Sequence, residues 1–352
     1  MAKRSAYASA GVDLAVSNRL KDDLPALLAS TQRPEVLGQV GGFGGLFALN
    51  TRKYKTPVLV SSVDGVGTKL KVAFAAKRHD TIGQDLVNHC VNDIAVIGAE
   101  PLFFLDYIGT GKLRKKAFTD IIRGFAIGCR ENNCSLVGGE TAQMSTFYKK
   151  GEYDVSGTIV GVVEKSAMLD GRGIKPGDAV IGIASSGLHT NGYSLARHIV
   201  FDVAGRSLED PAWEGSESTL ADELLAPSVI YAPSVVAALA AHEVHAVAHV
   251  TGGGLPGNLS RVLGEDVDAV LDHTAWEVPR IFRELQDMGG VSDGEMARVF
   301  NLGVGMVLVV PPSEADGVVA TLESGARPAR VIGELVPGTG TVAYSSAGGM
   351  GS

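Results

Sequence analysis

A glycine-rich turn that directly follows an apolar run most strongly limits what this chain can fold into. The run Pro57–Val60 leads into the sequence Val63-Asp64-Gly65-Val66-Gly67-Thr68-Lys69. Glycine accepts positive φ angles and leaves room for a bulky anion beside the backbone. Such a turn can bring backbone N–H groups, a hydroxyl, an ammonium group and a carboxylate to one point. The pattern predicts a phosphate site at the end of a strand, and a purely structural turn is the alternative interpretation.

The size and charge of the chain limit its class. Its 352 residues are 45% hydrophobic, which suffices for a large core and favours about two domains. Lys and Arg number 31 against 39 for Asp and Glu, and the formal charge of -8 argues against a general nucleic-acid surface. We find neither an apolar run of about 18 residues nor a signal segment behind Met1-Ala2-Lys3-Arg4-Ser5. We therefore expect a cytoplasmic protein that binds neither nucleic acid nor a membrane.

Strand and helix patterns alternate along the chain, which predicts an α/β fold with mixed or parallel sheets. The predicted strands are 56–62, 102–108, 134–137, 155–164, 179–184, 244–250, 267–271, 302–310 and 330–335. The predicted helices are 81–98, 115–132, 191–203, 228–241, 255–263, 278–288 and 313–323. The Gly- and Pro-rich stretch 171–177 interrupts the pattern. We therefore expect an N-terminal domain over 1–170, a C-terminal α/β domain over 171–345 and a disordered tail over 346–352.

The predicted helix 81–98 has two contrasting faces. One face carries apolar residues, among them Ile82 and Leu86. The other carries four polar residues at three- and four-residue spacing, which are Asp85, Asn88, Asn92 and Asp93. Residues at this spacing project from the same side of a helix, so these side chains are expected to point together beyond the sheet. An ordinary solvated face is the alternative.

Four segments combine glycine with acidic, amide or imidazole side chains. They are Asp64–Lys69, Asn92-Asp93, Gly138-Gly139-Glu140-Thr141 and Ser185–Gly192. Carboxylate oxygens suit Mg²⁺, which proteins usually hold with a few side chains together with nucleotide phosphates. Each acid taken alone is more often a helix cap or a surface residue. Taken together, the four segments predict a metal–nucleotide site.

The common nucleotide-binding motifs give a mixed result. A P-loop is absent, because Leu113 follows Gly111-Lys112 where Ser or Thr should bind the metal. The segment Gly252–Gly257 does fit the G-x-G-x-x-G fingerprint, and Asp272 stands 20 residues after Gly252. A Rossmann-type NAD(P) dehydrogenase is therefore one alternative function.

The chain resembles the phosphoribosylformylglycinamidine cyclo-ligases, also called aminoimidazole ribonucleotide synthetases. The segments that carry the resemblance run through nearly the whole chain and are Tyr7–Asp13, Arg33–Gly38, Gly41–Gly45, Asp64–Lys69, His79–Gly83, Cys90–Asp93, Gly98–Tyr107, Gly138–Ala142, Ser185–Tyr193, His249–Gly254 and Phe300–Met306. One segment departs from the family. Where the family usually continues Gly-Glu-Thr-Ala with Glu-Met-Pro-Gly, this chain has Gln143-Met144-Ser145-Thr146.

The resemblance implies an ATP-dependent ring closure in de novo purine synthesis. Formylglycinamidine ribonucleotide, ATP and Mg²⁺ would give aminoimidazole ribonucleotide, ADP and phosphate. It also implies a homodimer whose N-terminal domains share a β-barrel. A small-molecule kinase or synthetase of the same superfamily is the remaining alternative, and it would share the carboxylates but not the segments Ser185–Tyr193 and His249–Gly254.

Roles for individual residues follow from the segments and the resemblance together. Asp64, Asp93 and Glu140 are expected to hold Mg²⁺ with ATP. The expected ATP contacts also include Gly65, Val66, Gly67, Thr68, Lys69, Gly138, Gly139 and Thr141. His189 and His249 are candidates for proton transfer or for contact with the substrate phosphate, and Asp93 is grouped with them as catalytic. Substrate is expected at Thr190, Asn191, Thr251, Gly252, Gly253 and Gly254, whereas His79 and Asp106 are expected to be structural.

The segment Gly41–Gly45 is predicted to be a mobile flap over the nucleotide. It has four glycines in five residues and lies between apolar Val40 and Leu46. Hydrogen exchange in this segment should slow when ATP and Mg²⁺ are added, and unchanged exchange would contradict the prediction.

Overall fold

The computed structural model describes residues 24–38, 43–112, 114–325 and 327–345. The predicted tail 346–352 and the segment Tyr7–Asp13 lie outside the described residues, as do Gly41 and Gly42 of the predicted flap. The chain divides into two units. The first comprises Met1–Val91 with Pro101–Val162, and the second comprises Asn92–Glu100 with Val163–Ser352. The domain division predicted at 170/171 stays a prediction.

The first unit contains a four-stranded sheet in the order β1-β4-β2-β3. Its strands are β1 (Pro57–Gly65), β2 (Glu100–Thr110), β3 (Ser135–Gln143) and β4 (Tyr153–Glu164). Strands β2 and β3 pair in parallel from Phe103 opposite Ser135 to Thr110 opposite Gln143. This pairing extends β3 beyond its predicted end, because β2 supplies partners for its backbone groups. Gly138–Thr141 therefore lies within β3, and the prediction that this strand ends at residue 137, with a loop after it, was wrong.

The helices of the first unit are Leu24–Ala29, Lys69–Ala76, Ile82–Ala95 and Lys115–Glu131, of which Ile82–Ala95 continues into the second unit. Two of these helices approach closely through glycines. A Cβ on Gly83 would overlap the backbone of Ile121 and Phe125, and a Cβ on Gly124 would lie 2.9 Å from the Cα of Gly83. This contact fixes the helix Ile82–Ala95, which carries several of the candidate side chains.

The second unit contains a six-stranded mixed sheet in the order β10-β7-β9-β5-β8-β6. Its strands are β5 (Ala179–Ala184), β6 (Ala246–His249), β7 (Val267–Leu271), β8 (Val304–Val310), β9 (Ala329–Pro337) and β10 (Val342–Tyr344). All paired neighbours are antiparallel except β10 and β7. Apolar clusters cover both faces, one around Ile181 and Met306 and the other around Val180 and Val307. The predicted α/β class with mixed sheets is confirmed.

The helices of the second unit, in addition to the end of Ile82–Ala95, are Tyr193–Arg197, Leu220–Leu224, Ala232–Ala241, Gly254–Leu259, Arg280–Gly289, Asp293–Val299 and Ala315–Ser324, with a π-helical turn at His198–Val203. The sequence pattern did not predict Asp293–Val299. Its signal was present, because Ser292 stands three residues before Glu295, and the Ser292 side chain accepts a hydrogen bond from the Glu295 N–H. No helix among the described residues is long and apolar enough to cross a membrane.

The sheet order excludes the dinucleotide-binding alternative. A Rossmann unit needs the strand before the glycine turn and the strand after its helix to be neighbours in one parallel sheet. Here β8, β5 and β9 lie between β6 and β7. The carboxylate of Asp272 instead accepts hydrogen bonds from the backbone N–H and the hydroxyl of Thr274, at 2.9 and 2.6 Å. The NAD(P) dehydrogenase alternative based on Gly252–Gly257 is therefore wrong.

Candidate functional site

The end of β1 holds the Asp64 carboxylate between a backbone amide and a histidine. The Gly65 N–H donates to Asp64 Oδ1 at 2.6 Å, and Asp64 Oδ2 lies 2.8 Å from His89 Nε2. The Asp64 side chain is 42% exposed, whereas that of His89 is 7% exposed. The carboxylate is thus oriented by these two groups and is partly accessible to solvent. His89 was not among the predicted site residues, although its place four residues before Asp93 puts both on one helix face.

The rest of this turn divides into an anchored part and an open part. Val66 is buried and holds the turn against the core. Gly67 has a φ of 68°, and a Cβ built there would meet no described atom within 4 Å. The turn therefore presents open backbone at Gly67, as the predicted approach of an anion requires.

Lys69 lies in the interior of the first unit. Its Nζ is 2.7 Å from Asp85 Oδ2, and both side chains are fully buried. Burial lowers the pKa of Lys69, and the Asp85 carboxylate acts in the opposite direction. Contact between Lys69 and a nucleotide phosphate stays a prediction, and it would require this ion pair to open.

Strand β3 brings a second acid, Glu140, beside the half-buried Asp106 of β2. Glu140 is exposed, whereas the Asp106 carboxyl lies against Gly139, where a Cβ would overlap it. Burial raises the pKa of Asp106 to about 7; a backbone hydrogen bond opposes this rise, and the nearby Glu140 charge adds to it. At the end of the strand, the buried Oε1 of Gln143 accepts no hydrogen bond from the described residues. The departure of this chain from the family pattern therefore begins at a glutamine with an unsatisfied acceptor.

In the second unit, Asp93 and His249 form a close pair. His249 Nδ1 lies 2.8 Å from Asp93 Oδ1, and the two side chains are 6% and 30% exposed, respectively. His249 ends the edge strand β6, and Val250 N–H donates to Gly305 O at 3.0 Å. With Nδ1 as the donor to the carboxylate, Nε2 is the basic nitrogen of the neutral ring. The structure thus joins two of the three predicted catalytic residues.

The third, His189, is buried in a strained loop. Its φ is 59°, a value that is uncommon for a residue other than glycine. The backbone N–H groups of Ser186 and Val229 lie 3.3 and 3.5 Å from His189 Nε2. Both amides point to the same ring nitrogen, so the ring acts there as a neutral acceptor. This geometry makes His189 an anchor of its own loop, and its predicted part in proton transfer stays a prediction.

Asn301 also holds the loop that carries His189 in place. Its Nδ2 donates to Gly187 O at 2.8 Å, and its Oδ1 accepts from the Ser185 hydroxyl at 2.9 Å and from the Gly303 N–H at 2.9 Å. Asn301 belongs to a segment that resembles the family, but it was not named as a site residue. Sequence offered no signal for this role, because the contact joins residues more than 100 positions apart.

The two predicted substrate loops of this unit lie side by side. A Cβ on Gly252 would be 3.5 Å from Asn191 Oδ1. Gly253 and Gly254 both have positive φ angles, 97° and 65°. Buried Asn258 holds this turn by donating to Gly252 O and Gly254 O, and its Oδ1 accepts from the Thr251 hydroxyl. Backbone groups of the glycine turn and the Asn191 side chain thus form one polar surface within the unit.

The chain matches both domains of the AIR synthase related protein family. The N-terminal domain of that family matches residues 50–163, and the C-terminal domain matches 175–345. The structure is similar to that of thiamine-monophosphate kinase from Stenotrophomonas maltophilia K279a, with a TM-score of 0.69 and 19% identity over 92% of this chain and 95% of that one. It is also similar to the hydrogenase maturation protein HypE in complex with ATP, with a TM-score of 0.67 and 19% identity over 94% and 91%. At this identity the two likenesses show the fold alone.

Closer relatives define the family. The phosphoribosylformylglycinamidine cyclo-ligase of Anaeromyxobacter sp. (strain Fw109-5) is 52% identical over 335 residues, which are 95% of this chain and 96% of the relative. The enzyme of the same name from Geotalea daltonii is 51% identical over 332 residues, or 94% and 95%. The chain belongs to the phosphoribosylformylglycinamidine cyclo-ligase family. The resemblance found in the sequence is confirmed, and with it the prediction of a ligase.

Proposed function

We propose that the chain closes the imidazole ring of aminoimidazole ribonucleotide. Its substrates are formylglycinamidine ribonucleotide and ATP, and its other products are ADP and phosphate. The observation that carries this proposal is the 52% identity to a cyclo-ligase over 95% of the chain, a span that includes the acidic and the histidine segments. A kinase of the same superfamily is less well supported, because likeness to thiamine-monophosphate kinase is limited to the fold at 19% identity. A cytoplasmic location is part of the proposal, and cell fractionation tests it.

The chemistry requires an activated oxygen and a proton acceptor. The amide oxygen of the substrate is a poor leaving group until it receives a phosphoryl group from ATP. The amidine nitrogen then attacks the carbon that bears this oxygen, and a C–N bond forms. The C–O bond breaks, and phosphate leaves with the electron pair of that bond. The protein must position the phosphates, stabilise the developing charge and accept a proton from nitrogen.

In the first unit, Asp64 and Glu140 are the proposed ligands of Mg²⁺. The Asp64 carboxylate fits a hard cation, because Gly65 and His89 orient it while part of it stays accessible. Asp93 of the second unit is proposed as a further ligand, because its carboxylate oxygens also suit a hard cation. Bound Mg²⁺ would neutralise phosphate charge. The open backbone at Gly67 is the proposed contact for an ATP phosphate.

In the second unit, His249 is the proposed proton acceptor. The Asp93 carboxylate at 2.8 Å orients the ring and would stabilise it once protonated. Asn191 and the turn Gly252–Gly254 are the proposed contacts for the ribonucleotide substrate, with Thr190 and Thr251 beside them. His189 holds the first of these loops in place.

Product formation with purified protein tests the proposal. Incubation with formylglycinamidine ribonucleotide, ATP and Mg²⁺ should give aminoimidazole ribonucleotide and ADP in equal amounts. Asp64→Asn should reduce both products together. Asp272→Asn is a matched control, because among the described residues its carboxylate accepts hydrogen bonds from Thr274, outside the proposed site. Formation of ADP and a phosphorylated substrate without ring closure would contradict the proposal and favour a kinase.

A homodimer formed through the first unit is also proposed. Strand β1 is at the edge of its sheet, and Leu59 and Val63 on its outward face are 64% and 65% exposed. An exposed apolar edge strand of this kind promotes aggregation unless another chain covers it. A second copy of the chain would bury both residues. Light scattering should show a dimer that Leu59→Glu dissociates. Val203→Glu, at an exposed apolar residue of the second unit, should leave the dimer intact.

A further inference from the structure

The side chain of Asn92 binds the backbone of a distant segment within the second unit. Its Nδ2 donates to Val229 O at 2.9 Å, and its Oδ1 accepts from the Tyr231 N–H at 3.0 Å. Asn92 is fully buried. The amide therefore satisfies one acceptor and one donor of the segment Pro227–Tyr231, as a neighbouring strand would.

The segment Pro227–Tyr231 in turn borders the His189 loop at several points. Val229 N–H faces His189 Nε2, and the Ser186 hydroxyl donates to Pro227 O at 2.6 Å. The rings of Tyr231 and His189 lie 6.0 Å apart at 49°, and the Tyr231 hydroxyl donates to Ala184 O at 2.9 Å. Each contact ties this segment to the strand end or to the loop that carries His189.

Packing leaves little space for the histidine ring to move. A Cβ on Gly305 would overlap the Tyr231 hydroxyl and would lie 2.7 Å from His189 Cε1. His189 itself is held at a positive φ, which persists only where the surroundings determine it. A shift of Pro227–Tyr231 would therefore be transmitted to the histidine.

We propose that Asn92 is a positioning residue for His189, acting through the segment Pro227–Tyr231. Asp93, the next residue of the helix, binds His249 directly. One helical turn thus sets the position of both histidines, one through a backbone segment and the other by side-chain contact. The positioning role of Asn92 does not depend on the proposed reaction. Only the expected effect of Asn92 substitutions on the reaction rate rests on the proposed function.

The amide of asparagine suits this task because it offers a donor and an acceptor together. Aspartate has the same shape but no donor for Val229 O, and leucine offers neither group. Asn92→Asp and Asn92→Leu should therefore release the segment while the adjacent Asp93 remains in place. Asn132→Asp is the matched control, because Asn132 also donates from a buried amide, to Asn88 Oδ1 and Gly128 O, but in the first unit.

Nitrogen NMR of ¹⁵N-histidine protein tests the positioning role directly. In the parent, His189 should be the tautomer with its proton on Nδ1, because two backbone amides face Nε2. In both Asn92 variants, His189 should populate both tautomers, and hydrogen exchange at the Val229 and Tyr231 amides should be faster. Asn132→Asp should change neither the tautomer populations nor the exchange rates. The signals that are missing from the spectrum of His189→Asn are those of His189. An unchanged His189 tautomer in a folded Asn92 variant would overturn the proposal.

A second variant covers the case in which the Asn92 variants do not fold. Ser186→Ala removes the hydroxyl that holds Pro227 O and loosens the same segment from its other end. It should shift the His189 signals in the same direction, and failure to do so would contradict the coupling. In turnover assays, Asn92→Asp should lower kcat/KM by up to about 10²-fold, as small misplacements in active sites do. An inactive parent would refute the proposed function, while the NMR result would still decide the positioning role.

Discussion

The Asp93 carboxylate and the His249 imidazole meet at 2.8 Å, although 156 positions separate them in the chain. One residue belongs to the helix Ile82–Ala95, and the other ends the edge strand β6. The contact gives the imidazole a fixed orientation and a stabilising negative charge. It also means that a change at either residue alters the environment of the other.

Asp93→Asn should abolish turnover and leave the fold intact. Asparagine can still accept a hydrogen bond from His249 Nδ1, so the geometry is kept while one negative charge is lost. Binding of ATP with Mg²⁺ should weaken far more than binding of metal-free nucleotide, because a divalent cation needs that charge. Calorimetry with and without Mg²⁺ measures the difference. Equal losses for both forms would show that Asp93 is not a metal ligand.

His249→Asn should lower kcat by roughly 10²–10⁴-fold with little change in KM, because a positioned acid–base group typically contributes that much. His189→Asn should act mainly on KM and on thermal stability, since His189 Nε2 faces backbone amides and the ring is buried. Steady-state kinetics of both variants distinguish the roles. The opposite pattern, with kcat lost only in His189→Asn, would return proton transfer to His189.

Lys69→Met should lower the free energy of unfolding by about 3–5 kcal/mol, because it leaves the Asp85 carboxylate buried without its cation. Adding Asp85→Asn to the same chain should recover most of this loss. Urea unfolding of the two variants and the parent gives the comparison. Normal stability of Lys69→Met combined with weak ATP binding would instead support contact between Lys69 and a phosphate.

The stability of the second unit should depend on pH through His245. Burial opposes the charged ring, but hydrogen bonds to Asp178 at 2.7 Å and Glu243 at 3.0 Å outweigh it, and the pKa of His245 is raised above 6.5. The folded state then holds this proton more tightly than the unfolded state. Its contribution to stability is complete below the unfolded pKa and is lost as pH rises through the raised folded pKa.

The free energy of unfolding measured with urea should therefore decline as the pH rises from about 6 to about 9. This decline should be smaller in His245→Gln. His198→Gln is the control, because His198 pairs with the exposed Asp202, whereas one partner of His245, Asp178, is buried. A decline that persists unchanged in His245→Gln would assign the pH dependence to another group.

The helix Ile82–Ala95 illustrates how far sequence reasoning reached. Its polar residues were expected to project together, and all four are used by the protein rather than left to solvent. Each has its own partner: Asp85 pairs with Lys69, Asn88 with Asn132, Asn92 with the backbone of Pro227–Tyr231, and Asp93 with His249. Helical spacing predicts a shared face, but it does not name the partners that other elements bring.

The sequence by itself determined the α/β class through its local patterns and the family through the resemblance of its motifs. Glycine turns, helical spacing and strand patterns depend on neighbouring residues, and they are readable along the chain. Tertiary structure alone decided that Lys69 lies in the core, that Gly138–Thr141 continues a strand and that β6 and β7 are not neighbours. Each of these depends on contacts between distant positions, where burial and backbone pairing override local preference.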